Sequence, residues 1–122
     1  MDSSALGKVY DSGQIIVRQG DTGDCMYVIQ QGKVEVVRED VSGEIRLAVL
    51  EEGDLFGEMA VFEKEVRSAT VRALGEARIL TIDKKTFLRR VQEDPSLAFN
   101  ILRRMSQRIR NLNDRLAKAE GR

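Results

Sequence analysis

Residues 54–70 read Asp-Leu-Phe-Gly-Glu-Met-Ala-Val-Phe-Glu-Lys-Glu-Val-Arg-Ser-Ala-Thr. This stretch combines a Gly-Glu pair, Gly57 and Glu58, with an arginine, Arg67, nine residues after the glutamate. Because glycine has no Cβ, the backbone at Gly57 can approach a ligand closely. A carboxylate accepts hydrogen bonds from hydroxyl groups, and the planar guanidinium of an arginine matches the oxygens of a phosphate. The pattern therefore favours a site for a nucleotide monophosphate, with Glu58 at the sugar and Arg67 at the phosphate.

Backbone donors are predicted to complete this site. The apolar run Met59–Phe62 is long enough for one helical turn, whose first N–H groups have no partner within the turn and favour an anion. The N–H groups of Ser68 and Ala69 can add donors in the manner of a nest. The alternative interpretation is that Glu58 and Arg67 form an ordinary surface ion pair, which contributes about 0–1 kcal/mol and needs no ligand.

The chain from residue 14 to residue 82 reads as short β-strands separated by turn signals. Many short strands at even spacing are typical of an antiparallel sandwich or barrel. Residues 1–9 are predicted to be a loose lead-in. Strands are predicted at residues 15–17, 26–30, 34–36, 47–50, 70–71 and 79–82, and loops or turns at residues 19–24, 31–32, 42–43, 52–54 and 74–76.

The last third of the chain changes to a helical period. Asp83 is a predicted N-cap of a short helix, and Asp94 followed by Pro95 predicts the start of a second helix of about 25 residues. The apolar stripe of this helix is longer than one β-roll can cover. Its first half can pack on the roll, and its exposed second half, Ile109, Leu112 and Leu116, indicates a homodimer formed through a short parallel coiled coil. This stripe consists of Leu97, Ile101, Met105, Ile109, Leu112 and Leu116.

Composition excludes several classes of function. The 122 residues fit one domain, and 20 basic residues balance 20 acidic residues, so no overall field favours nucleic acid. The absence of histidine removes the commonest general base and metal ligand, and the single cysteine, Cys25, excludes an internal disulfide. No nucleophile–base pair is identifiable, so an enzyme is not expected. No segment has the roughly 18 apolar residues of a membrane span, and a cytoplasmic location is expected.

The motif Phe-Gly-Glu-Met-Ala…Arg-Ser-Ala-Thr resembles the phosphate-binding cassette of cyclic nucleotide-binding domains, with the same spacing from Glu to Arg. The resemblance covers about residues 10–115. It implies a mainly β fold with C-terminal α structure, in which an antiparallel β jelly roll (double-stranded β-helix) precedes a short helix and a long C-terminal helix. One domain, residues 1–122, would hold the roll at about residues 10–82, the cassette at residues 54–70 and the helices at residues 83–122. Glycines that fall where this family turns its strands are Gly13, Gly20, Gly32 and Gly53.

The same resemblance implies a non-catalytic sensor domain that binds a cyclic nucleotide, with cAMP favoured over cGMP, and that repositions its C-terminal helix. No cofactor is implied, and no DNA-binding element is expected in this chain. By residue type alone Val36, Leu47 and Met59 are core residues, and only the resemblance makes them pocket walls. The implied ligand-binding residues are Phe56, Gly57, Glu58, Met59, Ala60, Arg67, Ser68, Ala69, Val36, Leu47 and Asn113.

Three questions stay open on the sequence alone. The hydroxyl of Ser68 could bond to the phosphate, as in cAMP-binding relatives, or to the guanine amino group, as a hydroxyl here does in cGMP-preferring relatives. Asn113 could read the base edge or could be a solvated polar residue. The whole chain could be a degenerate jelly roll that binds another anionic metabolite or serves only for dimerisation.

Overall fold

The computed structural model describes residues 6–62 and 65–120, which form two compact units, one up to Lys84 and one from Lys85 onward. The strands are β1 Lys8–Tyr10, β2 Ile15–Val17, β3 Thr22–Gly23, β4 Cys25–Asp40, β5 Gly43–Glu51, β6 Leu55–Phe56, β7 Glu65–Val66 and β8 Thr70–Asp83. The helices are α1 Met59–Phe62, α2 Lys84–Glu93 and α3 Ser96–Glu120.

Two long antiparallel strands form the centre of the β-roll. β4 and β8 pair from Cys25 opposite Asp83 to Val37 opposite Thr70. β5 and β6 pair with β4, whereas β1 and β2 pair with β8, and every one of these pairings is antiparallel. β3 and β7 form a separate two-stranded sheet. The prediction of an antiparallel jelly roll followed by a short and a long helix is confirmed.

Both long strands bend at glycines that the sequence marks as turns. Gly32 and Gly75 have φ angles of +86° and +80°, a region that residues with a Cβ avoid. The register between β4 and β8 shifts on both sides of Gln31, as expected for β-bulges. A Cβ on Gly32 would also overlap the backbone carbonyl oxygen of Glu76 on β8. The predicted breaks at these two places are therefore wrong, because the chain continues through both as bent strands.

The β-roll begins earlier, and contains one more strand pair, than the sequence predicts. β1, Lys8–Tyr10, begins inside the predicted lead-in at residues 1–9 and pairs with β8. Inside the predicted loop at residues 19–24, Thr22 and Gly23 form β3 by pairing with Val66 and Glu65. Neither strand is longer than three residues, so backbone pairing with a distant segment decides its structure and local propensity does not.

The core of the roll includes alternate residues of β8. On β8, Val71 and Ala73 are buried before the bend, and Ala77 and Ile79 are buried after it. These residues are an even number of positions apart, so both halves of β8 face the same core. Burying a Val or Ile side chain contributes about 1.5–3 kcal/mol. The core cluster consists of Val17, Ile29, Val34, Phe56, Val71, Ala73, Ala77 and Ile79.

The helices of the second unit start where the sequence predicts. α2 begins directly after Asp83, and the carboxylate of Asp94 accepts a hydrogen bond of 3.1 Å from the N–H of Ser96 at the start of α3. α3 spans 25 residues, in agreement with the predicted length. None of the described helices combines the length and the apolar character that a membrane crossing requires.

The bend at Gly32 predicts a difference between two glycine substitutions. We expect Gly13→Ala, at a φ of +84° with open space around the new Cβ, to lower the free energy of unfolding by about 1–2 kcal/mol through backbone strain alone. Gly32→Ala adds the overlap with Glu76 to the same strain, and we expect an additional loss of at least about 1 kcal/mol. Urea unfolding followed by circular dichroism measures both, and equal losses would contradict the assigned close approach of β4 and β8.

Candidate functional site

The Gly-Glu pair lies between β6 and α1, where the backbone changes direction. Gly57 has a φ of +74°, and α1 follows over Met59–Phe62, so the predicted helical turn is present. The N–H of Ala60 donates to the carbonyl of Gly57 at 3.2 Å, and the N–H of Val61 donates to the carbonyl of Glu58 at the same distance. The expectation that the first N–H groups of this turn are unpaired is therefore wrong for Ala60 and Val61.

The backbone of Arg67 is held by the loop that precedes β4. The N–H of Arg67 donates to the carbonyl of Asp21 at 2.7 Å, and its own carbonyl accepts from the N–H of Gly20 at 2.9 Å. The antiparallel pairing of β3 with β7 continues this ladder, with Thr22 opposite Val66 and Gly23 opposite Glu65. The segment that the sequence describes only as a loop is therefore the element that positions the arginine.

The guanidinium of Arg67 is buried in a slot formed by two carbonyl groups and an aromatic ring. Arg67 is 9% exposed. Its Nη2 donates to the carbonyl of Cys25 at 2.8 Å, and its Nη1 makes a longer contact of 3.4 Å with the carbonyl of Gly57. Its Cζ lies 5.7 Å from the centroid of the Tyr27 ring. That ring in turn stacks on Phe56, with 5.0 Å between centroids and an interplanar angle of 14°. We call this arrangement the Arg67 slot.

Two glycines make room for the guanidinium. A Cβ on Gly23 would overlap the guanidinium of Arg67, and a Cβ on Gly57 would lie 2.7 Å from its Nη1. Gly57 also needs its positive φ, whereas Gly23 needs only the space. The Arg67 slot therefore depends on glycine at both positions.

The positive charge of Arg67 has no carboxylate partner among the side chains that the structure describes. The arginines on the outer face of the roll differ in this respect, because Arg46 and Arg72 both pair with Glu35, at 2.9 Å and 2.6 Å. The hydrogen bonds from Arg72 and Arg46 hold the pKa of Glu35 below its usual range, and the bond from Arg72 has the larger effect. A buried charge that is held only by neutral groups favours an anionic partner, and the low local dielectric strengthens that attraction.

The other titratable groups at the slot are neutral at physiological pH. Burial raises the pKa of the Tyr27 hydroxyl, while the positive charge of Arg67 acts in the opposite direction. Burial also raises the pKa of the Cys25 thiol, and the hydrogen bond to Asp24 adds to this effect. Cys25 is a half-buried residue at the start of β4, in accord with its predicted place beside a turn.

The remaining predicted residues of the cassette differ in how a ligand can reach them. Phe56 and Ala60 are 5% and 2% exposed, so they offer little surface to a ligand. Glu58 is half-buried. Among the described residues, no acceptor takes a hydrogen bond from the N–H of Ser68 or Ala69. These two N–H groups are therefore available, as the sequence predicts.

The predicted pocket walls are not all core residues. Val36 packs against the core cluster, but Leu47 and Met59 are 41% and 46% exposed. Leu47 lies in a bulge of β5, because Val36 pairs with Ala48 and Val37 pairs with Arg46. The interpretation of Leu47 and Met59 as core residues is therefore wrong. Asn113 is an exposed residue of α3.

Sequence reasoning missed two residues of the Arg67 slot. Gly23 was hidden in a run of glycine and acidic residues that reads as a turn, and Tyr27 was indistinguishable from other β-forming residues of its strand. No local sequence pattern indicates the role of Gly23 or Tyr27, because each contacts Arg67, which is more than 35 residues away in the sequence.

The antiparallel β-roll thus holds a buried arginine that has no carboxylate partner among the described side chains, an arrangement that favours a small anion as ligand. The model of the cyclic nucleotide-binding domain family matches residues 7–94, and the chain belongs to this family. The resemblance inferred from residues 54–70 is therefore confirmed.

The chain is similar to regulatory and receptor proteins. It is 43% identical over 81 residues to the cAMP-dependent protein kinase regulatory subunit of Schizosaccharomyces pombe, an alignment that covers 66% of this chain and 19% of the relative. It is 33% identical over 104 residues to the cyclic AMP receptor protein of Thermus thermophilus, which covers 84% of this chain and 48% of the relative. The crystal structure of Thermus thermophilus catabolite activator protein matches with a TM-score of 0.80 and 30% identity, over 95% of this chain and 55% of that chain. This chain therefore spans half or less of the length of these two curated relatives.

Proposed function

We propose that this chain is a non-catalytic sensor domain that binds a cyclic nucleotide, cAMP in preference to cGMP, with the phosphate at Arg67. The observation that carries the proposal is the buried guanidinium of Arg67, which has no carboxylate partner among the described side chains. Membership of the cyclic nucleotide-binding domain family and the names of the cAMP-related relatives support it. The single cysteine, Cys25, which is a free thiol, supports a cytoplasmic location.

The chemistry of a cyclic phosphate fits the Arg67 slot. A 3′,5′-cyclic phosphate carries one negative charge, which would balance the buried positive charge of Arg67. Each charge-assisted hydrogen bond between a guanidinium and a phosphate contributes about 1.5–3 kcal/mol. The N–H groups of Ser68 and Ala69, which follow Arg67 directly, would donate to the same phosphate.

The other polar groups of the cassette would orient the sugar. The carboxylate of Glu58 would accept a hydrogen bond from the free 2′-hydroxyl of the ribose. The hydroxyl of Ser68 would donate to the phosphate, and this assignment favours cAMP because it leaves no hydroxyl for the guanine amino group. The exposed side chains of Leu47 and Met59 would cover the apolar faces of the ribose and the base.

The first prediction of this proposal concerns the charge at Arg67. We expect Arg67→Ala to keep the fold and to weaken binding of cAMP by about 2–4 kcal/mol, because a buried phosphate loses its main counter-charge. Isothermal titration calorimetry measures the dissociation constant. Arg78→Ala is the matched control: it removes the same charge from a guanidinium that also donates to a backbone carbonyl, that of Gly7 at 2.9 Å. A variant without Arg67 that binds cAMP as tightly as the parent would overturn the proposal.

The second prediction concerns the partner of the ribose. We expect Glu58→Ala with cAMP, and the parent with 2′-deoxy-cAMP, each to lose about 1–3 kcal/mol of binding free energy. The two losses should not add when the variant is titrated with the deoxy ligand, since both remove the same hydrogen bond. Glu52→Ala removes an exposed carboxylate from the preceding turn and should leave both affinities unchanged. Fully additive losses would show that Glu58 and the 2′-hydroxyl are not partners.

The exposed stripe of α3 supports a homodimer. Leu102, Ile109 and Leu116 are seven residues apart, and Met105 and Leu112 repeat the same interval between them. This spacing is the heptad pattern of a coiled coil. Leu102, Ile109, Leu112 and Leu116 are each about 60% exposed in the single chain, whereas Ile101 of the predicted stripe is buried. A second copy of α3, related by a two-fold axis, would bury them.

α3 would also transmit the effect of ligand binding to the partner subunit. Asn113 is exposed on α3, and its side-chain amide can both donate and accept a hydrogen bond. If Asn113 contacts the base edge, the ligand stabilises the arrangement that allows this contact and shifts the population toward it. Ligand binding would in this way reposition α3 and, through the coiled coil, the partner subunit.

The third prediction concerns this dimer. We expect Leu112→Asp and Leu116→Asp each to weaken association by more than about tenfold, because a carboxylate would be buried without a partner. Sedimentation equilibrium measures the association constant. Leu88→Asp, which places the same charge at an apolar residue of α2 with similar exposure, should leave association unchanged. A parent protein that is monomeric at high concentration, with and without cAMP, would contradict the homodimer.

A further inference from the structure

We propose that Tyr27 is a positioning residue of the binding site, whose ring holds the guanidinium of Arg67 in the orientation that receives an anion. This inference rests on the proposed function, since it concerns how Arg67 is prepared for a phosphate. The cassette, residues 54–70, does not include Tyr27, which lies on β4, 40 residues before Arg67.

The Tyr27 ring is fixed from its other side. Tyr27 on β4 pairs with Phe56 on β6 and with Thr81 on β8, so its backbone is held between two neighbouring strands. Its ring lies nearly parallel to that of Phe56, which is 5% exposed. An offset stack of this kind resists rotation of either ring. The guanidinium of Arg67 therefore lies over the Tyr27 ring, which the stack on Phe56 holds in place.

Backbone groups also border the slot. Gly23 leaves room for the guanidinium, because a Cβ at this position would overlap it. The carbonyl groups of Cys25 and Gly57 fix the in-plane direction of the N–H donors. An arginine confined in this way has lost much of its rotamer freedom before a ligand arrives, and binding then costs less conformational entropy.

An aromatic ring stabilises the cation without neutralising it. The face of the ring attracts a guanidinium through its quadrupole, and burial of the ring strengthens this attraction. A carboxylate in the same place would form a buried ion pair with Arg67 and would compete with the phosphate. Burial raises the pKa of the Tyr27 hydroxyl, so the ring stays uncharged at neutral pH. The slot therefore stabilises Arg67 while its charge stays available.

The test is a double-mutant cycle between Tyr27 and Arg67, with cAMP affinity measured by competition against a fluorescent cyclic nucleotide. We expect Tyr27→Leu to weaken binding about 5- to 30-fold, and Tyr27→Phe, which keeps the ring, to stay within about threefold of the parent. In the Arg67→Ala background, Tyr27→Leu should change the affinity less than about twofold. A purely structural role of Tyr27 predicts the same loss in both backgrounds, and that result would overturn the inference.

A second variant keeps the inference testable if Tyr27→Leu does not fold. Gly23→Ala introduces a Cβ against the guanidinium at a residue whose φ is not positive, so its effect comes from the lost space. We expect at least a tenfold loss of cAMP affinity with an unchanged circular dichroism spectrum. Unchanged affinity of Gly23→Ala would overturn the confinement of Arg67. A parent protein that binds no cyclic nucleotide would instead overturn the proposed function, so the two failures are distinguishable.

Discussion

The burial of a guanidinium that has no carboxylate partner among the described side chains is the constraint on which the site depends. Arg67 is 9% exposed, and carbonyl oxygens and a ring face are its contacts among the described residues. Removing such a charge from water is unfavourable, and neutral groups compensate for it only in part. The slot therefore favours an anion on electrostatic grounds, because the buried positive charge of Arg67 is only partly compensated.

The bent strands of the roll explain how this slot is assembled from distant parts of the sequence. The first half of β4 supplies the carbonyl of Cys25 and the ring of Tyr27, and the short strand pair β3–β7 holds the backbone beside Arg67. The bends at Gly32 and Gly75 let β4 and β8 stay paired over almost their whole length while facing one core. Site and fold thus depend on the same backbone features, since glycines permit both the bends and the close approach to the guanidinium.

Much of the fold and part of the site could be predicted from the sequence. The turn at Met59–Phe62, the cap at Asp94 and the 25-residue helix each follow from residues close together in the chain. The short strands β1 and β3 could not be predicted, because distant backbone partners create them. The strand break predicted at Gly32 was wrong, because a glycine with positive φ is compatible with a turn and with a β-bulge. The roles of Gly23 and Tyr27 appear only when the side chain of Arg67 is in place.

The most direct test of the central claim is a calorimetric titration of the ligand-free parent protein with cAMP and, separately, with adenosine. The two ligands share the base and differ chiefly in the phosphate that Arg67 is proposed to bind. We expect one cAMP per chain and at least about 100-fold weaker binding of adenosine, because the charge-assisted hydrogen bonds are lost. Equal affinity for cAMP and adenosine, or no binding of cAMP, would contradict the account.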